Sequence, residues 1–284
     1  MDKEPGSLIY GLLGYPVKHS FSPSMHNAAF GALGINAQYK LFEVKPQDLG
    51  SFMGSLQQEG ISGLNVTIPY KEKVLEFVEL DREFAYLKQL RAVNTIVAGF
   101  GPLWGFNTDV PGFSRDLKEN INPAGKKAVI LGAGGGSRAV AYTLALEQAK
   151  EITVCDIDTD RAKGLVEMIK SIFPSCPIRF AEGIERLDIV SKDILINATP
   201  VGLKDADPCL VKQEMLRPGI FVYDLIYNPA KTKLLALAES CGCKTSNGLN
   251  MLLYQGMLSF TKWTGKEAPY EVMRQALLDS LSAL

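Results

Sequence analysis

A glycine-rich turn between a predicted strand and a predicted helix is the clearest chemical signal in the chain. The predicted strand Lys127–Leu131, which contains the apolar run Ala128–Leu131, leads into this turn, and a helical pattern follows it. Gly132 permits the tight turn, and the bare backbone at Gly134 would let a diphosphate approach the N-terminus of the helix. Ser137 replaces the third glycine of the usual motif, so the strand–turn–helix context carries the prediction of a dinucleotide site, against the alternative of a flexible loop. The predicted cofactor contacts in this turn are Gly132, Ala133, Gly134, Gly135, Gly136 and Ser137.

Two acids stand at the end of the next predicted strand, about 20 residues beyond the glycine turn. Asp156 and Asp158 are placed where an acid usually accepts hydrogen bonds from the adenine ribose, although Asp158 could instead cap the following helix. A 2′-phosphate ~5 Å from one carboxylate would be repelled by about 3 kcal/mol at an effective dielectric of about 20. The pair therefore favours NAD over NADP, unless Arg161 folds back over the loop.

Hydroxyl and imidazole groups are concentrated between residues 14 and 27. Ser20 and Ser22 flank a predicted helix start, where a carboxylate would meet the positive end of the helix dipole. The alternative for Ser22 is an ordinary helix N-cap. His19 and His26 have no acidic partner at a readable spacing, so we interpret both as structural.

A second polar segment follows the predicted strand Ile61–Ile68. Asn65 and Thr67 fall on one face near the end of that strand. Lys71 is predicted in the first turn of a helix, where the dipole disfavours the ammonium form and makes its proton easier to release. A solvated surface lysine is the alternative, and it is the interpretation we give to Lys73.

These segments resemble the shikimate dehydrogenase family, nearly end to end and in the same order. The resemblance also rests on four further segments: Arg91–Thr95, Gly105–Asp109, Tyr223–Pro229 and Asn247–Gly256. It implies an enzyme that reversibly reduces 3-dehydroshikimate to shikimate with NADP or NAD, in chorismate and aromatic amino acid biosynthesis. No metal is implied.

The resemblance also implies roles for individual residues. Ser20 and Ser22 would hold the substrate carboxylate, with Tyr227 nearby. Lys71 would exchange the proton, while Asp109 orients it and the reacting oxygen; by itself, Asp109 could also cap the next helix. Leu225 and Gly248 would border the nicotinamide. The implied contacts of the ring hydroxyls are Asn65, Thr67, Asn94, Asp109 and Gln255.

One departure from the family pattern concerns the cofactor. NADP-using members resemble Asn-Arg-Thr where this chain has Asp156-Ile157-Asp158, so the arginine expected to face the 2′-phosphate is missing. NAD use is commoner among relatives similar to quinate/shikimate dehydrogenases, and an NAD-dependent enzyme of quinate catabolism is the main alternative. A non-catalytic metabolite sensor is a further alternative, which the presence of both Lys71 and Asp109 disfavours.

The elements that must position these residues follow an alternating pattern of short apolar runs and amphipathic stretches. This pattern indicates an α/β protein with mostly parallel sheets. The turn-rich stretch Asn122–Gly125 marks a domain boundary. With the resemblance, we expect an N-terminal α/β substrate domain (residues 1–112 plus 249–284), a Rossmann-type dinucleotide-binding domain (113–248) and a cleft between them.

Composition limits the classes of partner. The net charge of −1 gives no basic surface for nucleic acid, and no apolar run reaches membrane-spanning length. The five cysteines form no Cys-x-x-Cys pair, which argues against a zinc site and fits a reducing compartment. We therefore expect a cytoplasmic enzyme of a small molecule, and the sequence leaves a homodimer open.

Overall fold

The computed structural model describes residues 7–80, 86–99 and 101–283. The chain divides into two compact units. The first unit comprises Met1–Thr108 with Leu252–Leu284, and the second comprises Asp109–Met251. The assignment of the substrate and of the cofactor to these units stays a prediction.

The described residues alternate between strands and helices in both units. The strands are β1 (Leu8–Gly14), β2 (Ala37–Glu43), β3 (Ile61–Val66), β4 (Thr95–Val97), β5 (Trp104–Phe106), β6 (Lys127–Leu131), β7 (Glu151–Cys155), β8 (Ile178–Ala181), β9 (Ile194–Asn197), β10 (Phe221–Asp224) and β11 (Lys244–Asn247). The α-helices are α1 (Ser22–Ala32), α2 (Leu49–Ser55), α3 (Tyr86–Leu90), α4 (Asp109–Asn120), α5 (Gly135–Leu146), α6 (Thr159–Ile172), α7 (Lys233–Ser240), α8 (Leu249–Thr264) and α9 (Tyr270–Ser282).

The sheet of the first unit has the order β2-β1-β3-β4-β5. Strands β1, β2 and β3 are parallel, whereas β4 runs antiparallel to both β3 and β5. Strand β5 was not predicted, because its three residues are too few for an alternating pattern to be recognised in the sequence.

The C-terminal helices complete the core of the first unit. Helix α9 packs on α1. From α8, Trp263 stacks on Tyr10 with ring centroids 5.1 Å apart, and its indole N–H donates to the carbonyl of Ile96 at 2.9 Å. Residues far apart in the sequence therefore form one hydrophobic core, which fixes the strand ends that carry the polar segments.

The sheet of the second unit is parallel throughout, with the order β11-β10-β9-β6-β7-β8. If β6 is counted as the first strand, this is the order 3-2-1-4-5-6 of a dinucleotide-binding Rossmann fold, read from the other edge. The predicted α/β fold with a Rossmann-type sheet is confirmed. Helix α7 and strand β11 were not predicted.

Candidate active site

The polar segments of the first unit meet at one edge of its sheet. Parallel strands β1 and β3 end there, and the antiparallel strand β4 begins there. The segments after β1 and β3, and the residue before β4, therefore lie side by side. These segments carry Ser20 and Ser22, Thr67 and Lys71, and Asn94 respectively.

Ser20 and Ser22 form a hydroxyl pair at the start of α1. Their Oγ atoms lie 3.1 Å apart, and Ser20 Oγ accepts the backbone N–H of Ser22 at 3.2 Å. The N-cap alternative for Ser22 is wrong, because Ser22 is the first helical residue and Phe21 occupies the cap position without a side-chain capping bond. Two hydroxyls beside the N-terminus of an 11-residue helix suit a carboxylate.

Glu43 holds the loop that leads to this pair, and the sequence did not single it out. Its carboxylate accepts the backbone N–H of Val17 at 3.2 Å and lies 3.7 Å from the ammonium of Lys18. At the start of the same loop, a Cβ added at Gly14 would collide with the side chain of Thr67. The close approach at Gly14 therefore brings the loops after β1 and β3 into contact.

Lys71 lies in a turn, which corrects the prediction that it occupies the first turn of an α-helix. After Pro69, only a short 3-10 helix forms, Lys73–Glu76, because the buried ring of Tyr70 anchors the turn through a hydrogen bond from its hydroxyl to the carbonyl of Val44. The helix-dipole argument for an easily released proton therefore does not apply to Lys71. The side chain of Lys71 is half-buried. The backbone of Lys71 is joined to the segment before β4, because its carbonyl accepts the N–H of Val93 at 2.8 Å.

A buried amide cluster follows Lys71 along this edge. Asn94 Oδ1 accepts the backbone N–H of Thr108 at 2.7 Å, and Asn94 Nδ2 donates to Thr108 Oγ1 at 3.0 Å. Asn94 Nδ2 also lies 3.4 Å from Gln255 Oε1 of helix α8. Two of the predicted hydroxyl-binding residues are thus brought together although 161 positions separate them in the chain.

Asn65, another predicted hydroxyl contact, also has an amide that is hydrogen-bonded inside the first unit. Tyr39 donates its hydroxyl hydrogen to Asn65 Oδ1 at 2.8 Å, and Asn65 Nδ2 donates to Ser259 Oγ at 2.9 Å. The residue is 4% exposed. Asn65 is therefore tied to the amide cluster from inside the first unit, and its predicted contact with a ring hydroxyl stays a prediction.

His26 is buried among aromatic rings, as expected of a structural histidine. It stacks on Tyr39 with ring centroids 4.5 Å apart, and it is fully buried. Burial lowers the pKa of His26 to about 3, so the imidazole is neutral near pH 7. His19, by contrast, is exposed.

The glycine turn of the second unit has the expected geometry of a strand–turn–helix site. Gly132 adopts φ +99°, and an added Cβ would lie 2.9 Å from the carbonyl oxygen of Ala198. Helix α5 begins at Gly135, with Gly134 in an extended conformation at the cap. Ser137, which stands where a third glycine is usual, is buried. The turn suits a diphosphate, because the glycine backbone can be approached closely and is followed by the N-terminus of a helix.

The turn lies where the strand order of the sheet reverses, between β6 and β9. No local sequence pattern pointed to the residues after β9 at this point. Thr199 donates both its N–H and its hydroxyl to Asn197 Oδ1, at 3.0 and 2.7 Å. Ligands of open α/β sheets bind at such a reversal, so the order of the strands would have pointed to this loop.

Leu225 packs against two glycines of the predicted cofactor site. A Cβ at Gly136 would lie 3.0 Å from Leu225 Cδ2, and one at Gly248 would overlap the backbone carbonyl of Leu225. The three predicted positions therefore lie together. Tyr227 is two residues further along the same loop and is half-buried.

Asp224 anchors that loop at the end of β10. Its carboxylate accepts hydrogen bonds from Asn197 Nδ2 at 2.9 Å, from the hydroxyl of Thr232 at 2.7 Å and from the backbone N–H of Ile226 at 3.1 Å. Burial raises the pKa of Asp224 to about 6, against the lowering effect of these donors. The carboxyl group joins the loops after β9 and β10.

The two acids after β7 both have local partners. Asp156 Oδ2 accepts the N–H of Ala133 at 2.7 Å, and its Oδ1 accepts the N–H of Asp158 at 2.8 Å, so Asp156 ties this loop to the glycine turn. Asp158 caps α6, because its Oδ1 accepts the N–H groups of Asp160 and Arg161. The predicted capping alternative for Asp158 is confirmed. The guanidinium of Arg161 lies 3.2 Å from Asp158 Oδ2.

Both ends of the chain match known protein families. Residues 12–96 match the model for the shikimate dehydrogenase substrate binding domain, and residues 248–278 match the model for the shikimate 5'-dehydrogenase C-terminal domain. A shikimate dehydrogenase (NADP(+)) from Methanopyrus kandleri is 45% identical over 281 residues, which cover 96% of this chain and 96% of the relative. This chain belongs to the shikimate dehydrogenase family.

Solved structures of the family agree with the observed fold. A shikimate dehydrogenase crystallised with NADP+ superimposes with a TM-score of 0.90 at 39% identity, covering 97% of this chain and 96% of that one. A shikimate 5-dehydrogenase from Listeria monocytogenes, in complex with shikimate and NAD, gives a TM-score of 0.85 at 36% identity, covering 98% and 99%. Shikimate dehydrogenases are oxidoreductases that act on a CH–OH group with a nicotinamide dinucleotide.

The two predicted catalytic residues fall in different units of this shikimate dehydrogenase family member. Lys71 belongs to the first unit, and Asp109 is a buried residue that begins α4 in the second. Within residues 7–80, 86–99 and 101–283, no cluster of histidine, cysteine or acidic side chains could hold a metal ion. No helix in the same ranges is long and apolar enough to span a bilayer.

Proposed function

We propose that this chain catalyses the reversible reduction of 3-dehydroshikimate to shikimate with a nicotinamide dinucleotide, in the biosynthesis of chorismate and aromatic amino acids. The observation that carries the proposal is the cluster of Asn94, Thr108 and Gln255, which lies one residue from the backbone contact that holds Lys71. Amides, hydroxyls and a lysine at one sheet edge suit a polyhydroxylated acid whose ketone must gain a proton.

The substrate would be held by its carboxylate and by its hydroxyls. Ser20 and Ser22 suit the carboxylate, since their hydroxyls lie together at a helix N-terminus. Asn94 and Gln255 suit the ring hydroxyls, with Thr67 beside them, and Asp109 and Tyr227 would be further substrate contacts. The additional hydroxyl of quinate lies on the carboxylate-bearing carbon, and the intact Ser20-x-Ser22 pair favours shikimate.

The dinucleotide would lie on the glycine turn. The turn from Gly132 to Ser137 would hold the diphosphate, and Leu225 and Gly248 would border the nicotinamide. When bound, the cofactor supplies the hydride that reduces the ketone carbon. The protein must then neutralise the developing alkoxide.

Lys71 would donate the proton to that oxygen in the reductive direction, and Asp109 would orient the ammonium and the oxygen. General acid catalysis of this kind contributes about 10²–10⁴-fold. An ammonium group donates a proton, as the reduction requires, so this role does not depend on the helix dipole that the sequence suggested.

For the adenosine end, we propose a preference for NAD. Asp156 and Asp158 place two carboxylates where a 2′-phosphate would add negative charge, and the ion pair of Arg161 with Asp158 directs the nearby guanidinium to that acid. Asp156 has a second role, because it also fixes the glycine turn. Both dinucleotides occur among the relatives, so this preference belongs to the chain's own loop.

We further propose a cytoplasmic enzyme, since all five cysteines are free thiols, as expected in a reducing compartment. A homodimer is compatible with the proposal but is not required by it.

The test is a matrix of initial rates for shikimate or quinate with NAD or NADP, followed at 340 nm. We expect the highest kcat/KM for shikimate with NAD. Turnover of quinate but not of shikimate would contradict the proposed substrate. A strong preference for NADP would contradict the proposed effect of Asp156 and Asp158 on cofactor choice. Cofactor binding without any absorbance change would instead indicate a non-catalytic sensor.

A further inference from the structure

Ser259 of helix α8 is the centre of a buried hydrogen-bond network in the first unit. Its side chain is fully buried, and its Oγ accepts from Asn65 Nδ2 at 2.9 Å. The same Oγ lies 2.8 Å from Thr95 Oγ1 and 3.1 Å from Thr108 Oγ1. It also donates to the backbone carbonyl of Gln255 at 3.0 Å. One hydroxyl therefore links the sheet to the helical turn that carries Gln255.

Tyr39 holds the other end of the Asn65 amide. Its hydroxyl donates to Asn65 Oδ1 at 2.8 Å, and its ring is fixed by stacking on His26 at an interplanar angle of 9°. Ser259 already donates its one hydroxyl hydrogen to the carbonyl of Gln255, and the nearby backbone carbonyl of Asn94 can only accept. A flipped Asn65 amide would turn its oxygen toward these two groups, so the observed orientation is the one that pairs them.

This orientation is transmitted to Asn94 by two routes. Asn65 Nδ2 also lies 3.3 Å from the backbone carbonyl of Asn94. In addition, Thr108 contacts both Ser259 and the two ends of the Asn94 side-chain amide. The position of Asn94 is thus coupled to Ser259 through Asn65 and Thr108.

We propose that Ser259 and Tyr39, acting through Asn65, are positioning residues that orient Asn94 and Gln255 toward the ring hydroxyls of the substrate. The proposal rests on the proposed function, because it assigns the network to substrate recognition. Partners that orient contact residues in this way affect binding without touching the ligand.

The test uses two variants that remove one hydroxyl each, Ser259→Ala and Tyr39→Phe. We expect each to raise the KM for shikimate about five- to tenfold, because one end of the buried amide loses its partner. The kcat and the KM for the dinucleotide should stay within about twofold. In the double variant the increase should be smaller than the product of the two, because both changes act on the same amide.

Ser280→Ala is the matched control. Ser280 lies on α9 and donates to the carbonyl four residues earlier, Ala276, at 2.8 Å, as Ser259 does with Gln255. It has the same local bond but lies outside the network, so its variant should match the wild type in the KM for shikimate.

Two results would overturn the proposal. One is an active wild type for which Ser259→Ala and Tyr39→Phe leave the KM for shikimate within about twofold; the other is an equal rise in the KM of both substrates. If Ser259→Ala fails to fold, Tyr39→Phe, which keeps the stacked ring, decides the question by itself. A wild type that does not oxidise shikimate at all would overturn the proposed function first, and the positioning role with it.

Discussion

The carbonyl oxygen of Lys71 accepts the backbone N–H of Val93 at 2.8 Å, which places the lysine beside the residue that precedes Asn94. The turn after β3 is therefore joined to the segment before β4. A lysine on a turn held in this way can keep a fixed position without belonging to a helix.

Replacing Lys71 with alanine should lower kcat by about 10²–10⁴-fold and change the KM for shikimate little, because the group acts on the proton rather than on binding. Steady-state rates of shikimate oxidation measure the effect. Lys73→Ala is the control, since Lys73 is exposed two positions away. A Lys71→Ala variant within a few-fold of the wild-type kcat would remove this residue from the chemistry.

Cofactor preference should move toward NADP when Ile157→Arg is combined with Asp158→Thr. The arginine adds a cation at a fully exposed position, and threonine removes one carboxylate while it keeps an oxygen to cap α6. The ratio of kcat/KM for NADP over NAD should rise about 10- to 100-fold.

A control for charge removal alone is Asp160→Asn in the first turn of α6, because Asp160 is exposed and follows the loop directly. This variant should leave the ratio within about twofold. An unchanged ratio in the Ile157→Arg/Asp158→Thr variant would show that the 2′-position of the ribose lies elsewhere.

Acid should destabilise the protein partly through Glu151. Lys192, almost fully buried, donates to Glu151 Oε1 at 2.6 Å, and Arg179 donates to the same oxygen at 3.0 Å. The hydrogen bond from Lys192 is the main cause that lowers the pKa of Glu151 from its ordinary 4.5 to about 2. Because the folded-state pKa is depressed, this contribution to stability is present above pH 4.5 and is lost as the pH falls toward 2.

Glu151→Gln should therefore weaken the dependence of the free energy of unfolding on pH below about 4.5. Urea denaturation from pH 7 to pH 3 measures it. Glu119→Gln, which breaks an exposed pair with Arg115, should leave the slope as in the wild type. If the free energy of unfolding fell equally steeply with pH in Glu151→Gln and in the wild type, Glu151 would not be a source of the acid sensitivity.

Two glycine-to-alanine changes should have opposite effects on stability. At Gly248 the new Cβ would overlap the backbone carbonyl of Leu225, and backbone cannot move aside cheaply, so we expect a loss of several kcal/mol and weaker dinucleotide binding. At Gly164, an exposed position inside α6 with no atom within 4 Å of the Cβ, alanine should stabilise by about 0.5–1 kcal/mol.

Thermal unfolding with and without NAD checks both variants. A Gly248→Ala protein that unfolds at the wild-type temperature and binds NAD normally would contradict the close approach.

Secondary structure was predicted best where neighbouring residues in the sequence both show the pattern and determine where the element ends. Strand β6 was predicted with its observed bounds, Lys127–Leu131, because an apolar run ends at a glycine turn. Strand β11, Lys244–Asn247, is polar, and only its pairing with β10 makes it a strand. Such pairing depends on neighbours in space that a single sequence does not display.

Within the candidate site, the residue types were easier to predict than their surroundings. Asn65 was correctly noticed as a polar residue near a strand end, but its partners Tyr39 and Ser259 lie 26 and 194 positions away. Lys71 was placed on a helix because apolar residues follow at helical spacing, whereas the anchored ring of Tyr70 limits the segment to a turn and a 3-10 helix.

The packing of α9 on α1 sets the order in which the two units can fold during synthesis. The second unit is continuous in the sequence, so it can close its core soon after residue 251 leaves the ribosome. The earlier residues of the first unit must wait, with the face that later receives Trp263 still uncovered, until the last two helices emerge. A nascent chain halted after residue 251 should therefore hold a protease-resistant Rossmann unit behind an N-terminal segment that proteases still digest.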